Sequence, residues 1–204
     1  MKKILILDFD GTIIDSNFVK RDTIIKYINN KYDKNILNNV DSFSIDKYSR
    51  YELVSIAKNN LISNKEKNEI DDLVNKNVSE SKLDPYLFNL FKFCSKNKIK
   101  IFIVSNTPDQ SLKEIIKKLQ INHYFDKVIG KRNLINKEKI FKEIIKDEMI
   151  SPKEILSVGD HIDDYFASIK NMIQFHGIIN HSLLILKGKV TFSKSLKGVI
   201  KSLH

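Results

Sequence analysis

The sequence predicts an α/β fold: a parallel sheet with helices on both faces, and an all-helical block inserted after the first strand. Three observations predict it. The apolar run Ile4-Leu5-Ile6-Leu7 reads as a buried strand and ends at once in Asp8-Phe9-Asp10-Gly11-Thr12. Residues 16–83 carry helical periodicity and little strand character. From residue 99 onward, short β-rich runs alternate with helical segments, the pattern of a parallel sheet wrapped by helices.

The elements follow in order. After the first strand, Phe18, Ile25, Ile28 and Tyr32 fall near one face of a helix. Tyr51, Val54, Ala57 and Leu61 mark a second helix, and Ile70, Leu73, Val74 and Val78 a third. Leu83-Asp84-Pro85 closes this block, because proline biases the residue before it away from helix. Residues 87–94 read as a helix and 99–104 as the strongest strand. Next come a helix over 109–119, a strand over 127–129, a helix over 137–148 and a buried strand over 155–158. Residues 163–172 are helical, 173–179 and 190–192 are strands, and Ser193 starts a closing helix. The expected domains are therefore an α/β core of residues 1–15 and 84–204, and a helical insertion of 16–83.

Composition narrows the function classes. A chain of 204 residues with 42% hydrophobic and 29% charged residues buries a substantial core and matches soluble globular proteins. The single Cys94 makes no internal disulfide and sits in an apolar stretch, so a buried thiol in a reducing cytoplasm is expected. Four apolar residues after Met1-Lys2-Lys3 are too few for a signal peptide, and no run reaches membrane-span length. No membrane partner is expected. The formal charge of +10 invites a nucleic-acid partner, but the lysines are scattered with no basic block, so none is expected either. The positive field suits a small anionic substrate.

The chemistry concentrates at strand ends. Asp8 and Asp10 alternate along an extended chain at the carboxyl edge of a strand, so one carboxylate can attack while the other moves a proton. The same residues also make an ordinary strand-ending turn. Ser105-Asn106-Thr107 follows the strand of 99–104, and its hydroxyls and backbone amides suit a phosphate oxygen, although it too is a common turn and helix start. Gly159-Asp160-His161-Ile162-Asp163-Asp164 follows another strand and supplies Asp160 and Asp164, oxygen donors of the kind Mg²⁺ prefers. Lys137 opens a helix between these strands. His161 and Asp163 read as local loop residues, and His176, His181 and His204 as incidental, lacking metal-like spacing.

Taken together, these residues resemble the haloacid dehalogenase superfamily. Its four motifs are an Asp-x-Asp at the first strand, a Ser or Thr at the second, a Lys, and a final Gly-Asp-x-x-x-Asp. They read here, in order, as Asp8/Asp10, Ser105, Lys137 and Asp160/Asp164. Lys131 and Lys139 compete for the lysine. The resemblance covers nearly the whole chain and implies a Rossmann-like core with a small helical cap, as in relatives of the phosphoglycolate phosphatase and β-phosphoglucomutase type.

Relatives that cleave carbon–halogen or carbon–phosphorus bonds lack the second Asp, so Asp10 implies phosphoryl transfer. The resemblance further implies that Asp8 is the nucleophile and that Asp10 is the acid and then the base. Ser105, Asn106 and Lys137 would bind phosphate. Mg²⁺ would be held by Asp8, the Asp10 carbonyl and Asp160, with Asp164 positioning the metal shell or the lysine.

Within the insertion, Ser49-Arg50-Tyr51-Glu52 stands at a helix start, and Arg50 offers a planar fork to a second anionic or hydroxylated part of the substrate. An arginine pairing with a nearby carboxylate reads equally well. The expected function is a Mg²⁺-dependent phosphatase acting on a small phosphomonoester: a sugar, polyol, glycolate or amino-alcohol phosphate. A phosphomutase and a catalytically idle binding module are the alternatives. The oligomeric state is left open.

Overall fold

The computed structural model describes residues 1–32, 48–132 and 136–204. Residues 33–47 of the expected insertion lie outside the described residues. Six strands form one parallel sheet: β1 (Ile4–Leu7), β2 (Lys100–Pro108), β3 (Lys127–Lys131), β4 (Ile155–Gly159), β5 (Gln174–Ile178) and β6 (Thr191–Ser193). Their order is β3-β2-β1-β4-β5-β6, every pairing parallel. All four residues of β1 are buried, as expected of a central strand covered on both faces. The chain winds outward from β1 in both directions, so the order reverses between β1 and β4, where open α/β sheets place their sites.

The chain divides into two compact units, one of residues 1–15 and 82–204 and one of 16–81. The first holds the sheet with α4 (Leu87–Lys96), α5 (Asp109–Lys118), α6 (Lys137–Asp147) and α7 (Ile162–Lys170). On one side Ile4, Ile6, Phe102 and Val104 pack with Ile140, Phe141 and Ile144 of α6 and Ala167 of α7. Elsewhere α4 packs against a closing 3₁₀ helix, Leu196–Leu203. The second unit contains α1 (Asn17–Lys31), α2 (Arg50–Lys58) and α3 (Asn64–Ser79), with α1 packed on the other two. Capping boxes start α2 at Ser49/Glu52 and α3 at Ser63/Glu66, satisfying amides that the helix itself leaves unpaired.

Several local expectations need correction. The inward face of α1 is Thr23, Ile24, Tyr27 and Ile28, one step round from the predicted stripe, and Phe18 is exposed. Helix α2 stops at Lys58, capped by Asn59 in the left-handed region (φ 54°), which leaves Leu61 exposed beyond it. Leu73 also faces outward. The closing helix is a 3₁₀ helix that starts at Leu196 rather than at Ser193, which ends β6, and a second 3₁₀ segment, His181–Leu186, was unforeseen. Its Leu183 and Leu186 bury against Phe175.

His176 is far from incidental. It is fully buried on β5, with Nε2 and Nδ1 each 2.8 Å from a hydroxyl, those of Ser193 and Ser202. Ser193 donates its one proton to the Ser195 carbonyl, so it accepts from Nε2–H, and Ser202 donates to Nδ1. Burial pushes the imidazole down to about 4, so the ring is neutral near neutral pH and this pattern of one donor and one acceptor nitrogen suits it.

Candidate active site

The site is assembled at the carboxyl edge of the sheet, in the unit of residues 1–15 and 82–204. Asp8 leaves β1 with its amide donating to Val158 O of β4, which places it beside the reversal point. Gly11, at φ 73°, allows the turn that brings its amide back to Ile14 O. Asp160 follows β4. Asp164 lies in the first turn of α7, where carboxylates are favoured by the helix dipole. Gly159 has a specific reason to be glycine: a Cβ there would collide with the Asp164 carboxyl group.

Asp8, Asp160 and Asp164 are all buried, and each offers a carboxylate oxygen within 4.8 Å of the others'. Lys137, at the start of α6, brings a buried ammonium among them. Its Nζ lies 2.6 Å from Asp8 Oδ1 and 2.5 Å from Asp164 Oδ1. Burial alone would lower this ammonium, but attraction to Asp8 and Asp164 carries it above the ordinary lysine range. The carboxylic acid of Asp8 is pushed well up by burial, which outweighs Lys137 and is reinforced by Asp164 and Asp10. Burial also raises Asp160, against the pull of its bond from Asn180.

Three buried carboxylates face one ammonium, an excess of two negative charges if all are ionised. An all-oxygen, buried donor set with that excess fits a divalent cation such as Mg²⁺. Asp160 is held in place from β5 onward: Asn180 Nδ2 donates to Asp160 Oδ2 at 2.6 Å, and the Ser182 hydroxyl donates to the Asp160 carbonyl at 3.0 Å.

The remaining predicted residues fall into two groups. Ser105 is buried within β2, its hydroxyl accepting from Thr107 N–H at 3.1 Å, while Asn106 between them is exposed. The Thr107 hydroxyl donates to Asp10 Oδ2 at 2.5 Å. Among the competing lysines, Lys131 and Lys139 are exposed, and Lys137 alone of the three joins the carboxylates. Arg50 belongs to the other unit, where its guanidinium pairs with Asp71 at 3.1 Å and Tyr51 donates to the same carboxylate. His161 caps α7 by accepting from Asp163 N–H.

Sequence reasoning missed the pairing of Thr107 with Asp10, and missed Asn180 and Ser182 altogether. Asn180 did carry one signal, its position just past a strand on the edge where the other motifs lie.

A family model described as haloacid dehalogenase-like hydrolase matches residues 5–178. No curated protein sequence matches the chain. Solved structures share the fold at low identity. A β-phosphoglucomutase candidate from Thermotoga maritima is 16% identical with a TM-score of 0.79, covering 100% of this chain and 98% of that one. A phosphoglycolate phosphatase candidate from Haemophilus somnus is 18% identical at 0.75, covering 100% and 98%. CbbY from Rhodobacter sphaeroides, solved in complex with phosphate, is 10% identical at 0.69, covering 96% and 95%. No helix among the described residues is long and apolar enough to cross a membrane.

Proposed function

The chain belongs to the haloacid dehalogenase-like hydrolases, and on that premise we propose that it is a Mg²⁺-dependent phosphatase of small phosphomonoesters. The observation that carries the proposal is the contact of Lys137 with both Asp8 and Asp164 beside Asp160, at the point where the strand order reverses. Asp8 is the nucleophile: its oxygen forms a bond to phosphorus as the ester P–O bond breaks. Asp10 gives the departing oxygen its proton. Asp10, now ionised, takes a proton from the water that attacks the aspartyl-phosphate, which releases inorganic phosphate and restores both carboxyl groups.

Asp8, Asp160 and the Asp10 carbonyl would hold the metal, with Asp164 positioning Lys137. When bound, the cation offsets the repulsion between Asp8 and an anionic phosphate and draws charge from the phosphoryl oxygens. Lys137 supplies a fixed positive charge at the reacting group. The Ser105 hydroxyl, already accepting from Thr107 N–H, presents its proton to a phosphoryl oxygen, and Asn106 offers its exposed amide in the same stretch of β2.

In this reading the helical insertion selects among sugar, polyol, glycolate and amino-alcohol phosphates, and Arg50, which pairs with Asp71 inside its own unit, is its candidate specificity residue. Unchanged KM in Arg50→Ala withdraws Arg50 from this role.

Phosphate release from a panel of such esters, with and without Mg²⁺ and beside Asp8→Asn, tests the reading. Metal-dependent release that Asp8→Asn abolishes is expected; no release from any ester overturns it. A mutase reading is favoured by the likeness to the T. maritima protein. Turnover that requires a bisphosphate activator, with little free phosphate released, would establish it in place of the phosphatase.

A further inference from the structure

We propose that Thr107 is a positioning residue for Asp10, and that this contact equips the enzyme for esters with poor, alkoxide leaving groups. The inference rests on the phosphatase reading above. It starts from the irregularity of β2. Opposite β3, Val104 pairs with Ile129 but the next pairing is Pro108 with Lys131, so four steps along β2 match two along β3. A bulge of this kind re-aims the side chains within it. Here it carries Ser105, Asn106 and Thr107, and it is braced on its far side. Gly130 of β3 approaches so closely that a Cβ would clash with the Thr107 carbonyl and the Asp109 backbone, and the Gly130 amide donates to Asp109 Oδ1 at 2.9 Å.

The braced bulge turns the Thr107 hydroxyl onto Asp10, 97 residues away in sequence, at 2.5 Å to Oδ2. Thr107 is itself buried and β-branched, so its rotamer is restricted. A hydroxyl has one proton, and Oδ2 of Asp10 can accept it both when the carboxyl group is ionised and when its own proton sits on Oδ1, so Thr107 spends that proton on Asp10 and leaves Oδ1 to face the substrate. From sequence this hydroxyl suits a phosphate oxygen; the structure directs it to Asp10 instead.

An oriented carboxyl group matters most where the leaving oxygen must be protonated as it departs. An alkoxide is such a group. A nitrophenolate leaves without help, so the two ester classes separate a lost acid from a lost fold.

The test compares kcat/KM, which reports the steps through departure of the leaving group. The probes are p-nitrophenyl phosphate and whichever of glucose phosphate, glycerol phosphate, phosphoglycolate and phosphoethanolamine the wild type turns over fastest. Thr107→Val is expected to lower kcat/KM for the alkyl ester by roughly 10- to 100-fold, a part of the general-acid contribution. The aryl ester should change by less than about threefold, and Thr107→Ser should restore the alkyl rate.

The alkyl-to-aryl ratio within one sample is independent of how much protein folds. In an Asp10→Asn background, Thr107→Val should cost nothing further, because Thr107 acts through Asp10. Equal losses on both esters, or no loss on either, overturn the inference while leaving the phosphatase intact. A wild type inert towards every ester removes both.

Discussion

Lys137 Nζ lies 2.6 Å from Asp8 Oδ1, across 129 positions of sequence, with both side chains buried. The pair joins the tip of the central strand to the first turn of α6, and Asp164 closes it from α7. One ammonium thus balances part of a buried carboxylate cluster, and the cluster's remaining charge shapes both stability and metal affinity.

Removing the ammonium should therefore expose that charge. Lys137→Met is expected to abolish turnover and, in EDTA, to destabilise the protein by about 3 kcal/mol, the usual scale for leaving a buried ion pair with one partner. Saturating Mg²⁺ should recover part of the loss, because a divalent cation answers the same excess of charge. Urea unfolding in EDTA and in Mg²⁺ measures both; equal midpoints for variant and wild type in EDTA would falsify the role given to the pair.

Asn180 donates to Asp160 Oδ2 at 2.6 Å and so fixes the orientation of a proposed metal ligand. Outer groups of this kind contribute roughly 10- to 100-fold in metal affinity. Asn180→Ala should weaken Mg²⁺ binding on that scale, as read by calorimetric titration without substrate. Binding as tight as in the wild type would show that Asp160 needs no such support.

The space beside Asp164 is reserved by the glycine before Asp160. Gly159→Ala places a methyl group where the Asp164 carboxyl group lies, so Asp164 must move away from Lys137. The expected outcome is a fall in kcat of at least about tenfold with the fold retained, since such misplacement disturbs the charge at the reacting group. Near wild-type kcat, with an unchanged circular dichroism spectrum, would show that the site tolerates the shift.

His176 makes stability depend on pH in a defined direction. The folded protein keeps the ring neutral down to about 4, whereas the unfolded chain takes up a proton near the ordinary histidine value. The unfolded state thus binds more protons between those limits, and the histidine's contribution is complete above the upper limit and lost as pH falls towards the lower. Between neutral pH and the lower limit the wild type should lose about 3 kcal/mol more than His176→Gln, by linkage. Parallel pH profiles from chemical denaturation would refute this.

The parallel α/β core, the order of its strands along the chain and the carboxylates at their tips are legible in the amino-acid pattern alone. Burial of a strand is written in its own composition, as in Ile4–Leu7, and a strand tip in a parallel sheet has one edge to occupy. The helical character of the insertion was legible for the same reason, through spacing between near neighbours. Its exact faces were less so, and Phe18 and Leu73 turned outward because packing, not periodicity alone, selects the stripe.

Long-range packing shows which lysine meets the carboxylates, that Thr107 meets Asp10, that Asn180 meets Asp160, and that His176 ties β5 to β6 and the closing segment. Each of these is an approach of side chains 17 to 129 residues apart. Such approaches are set by strand order, register and a bulge, and by one glycine that leaves room for a neighbour. A pattern of hydrophobic repeats records none of these quantities, because it reports only how a residue faces the core and not which polar group it meets there.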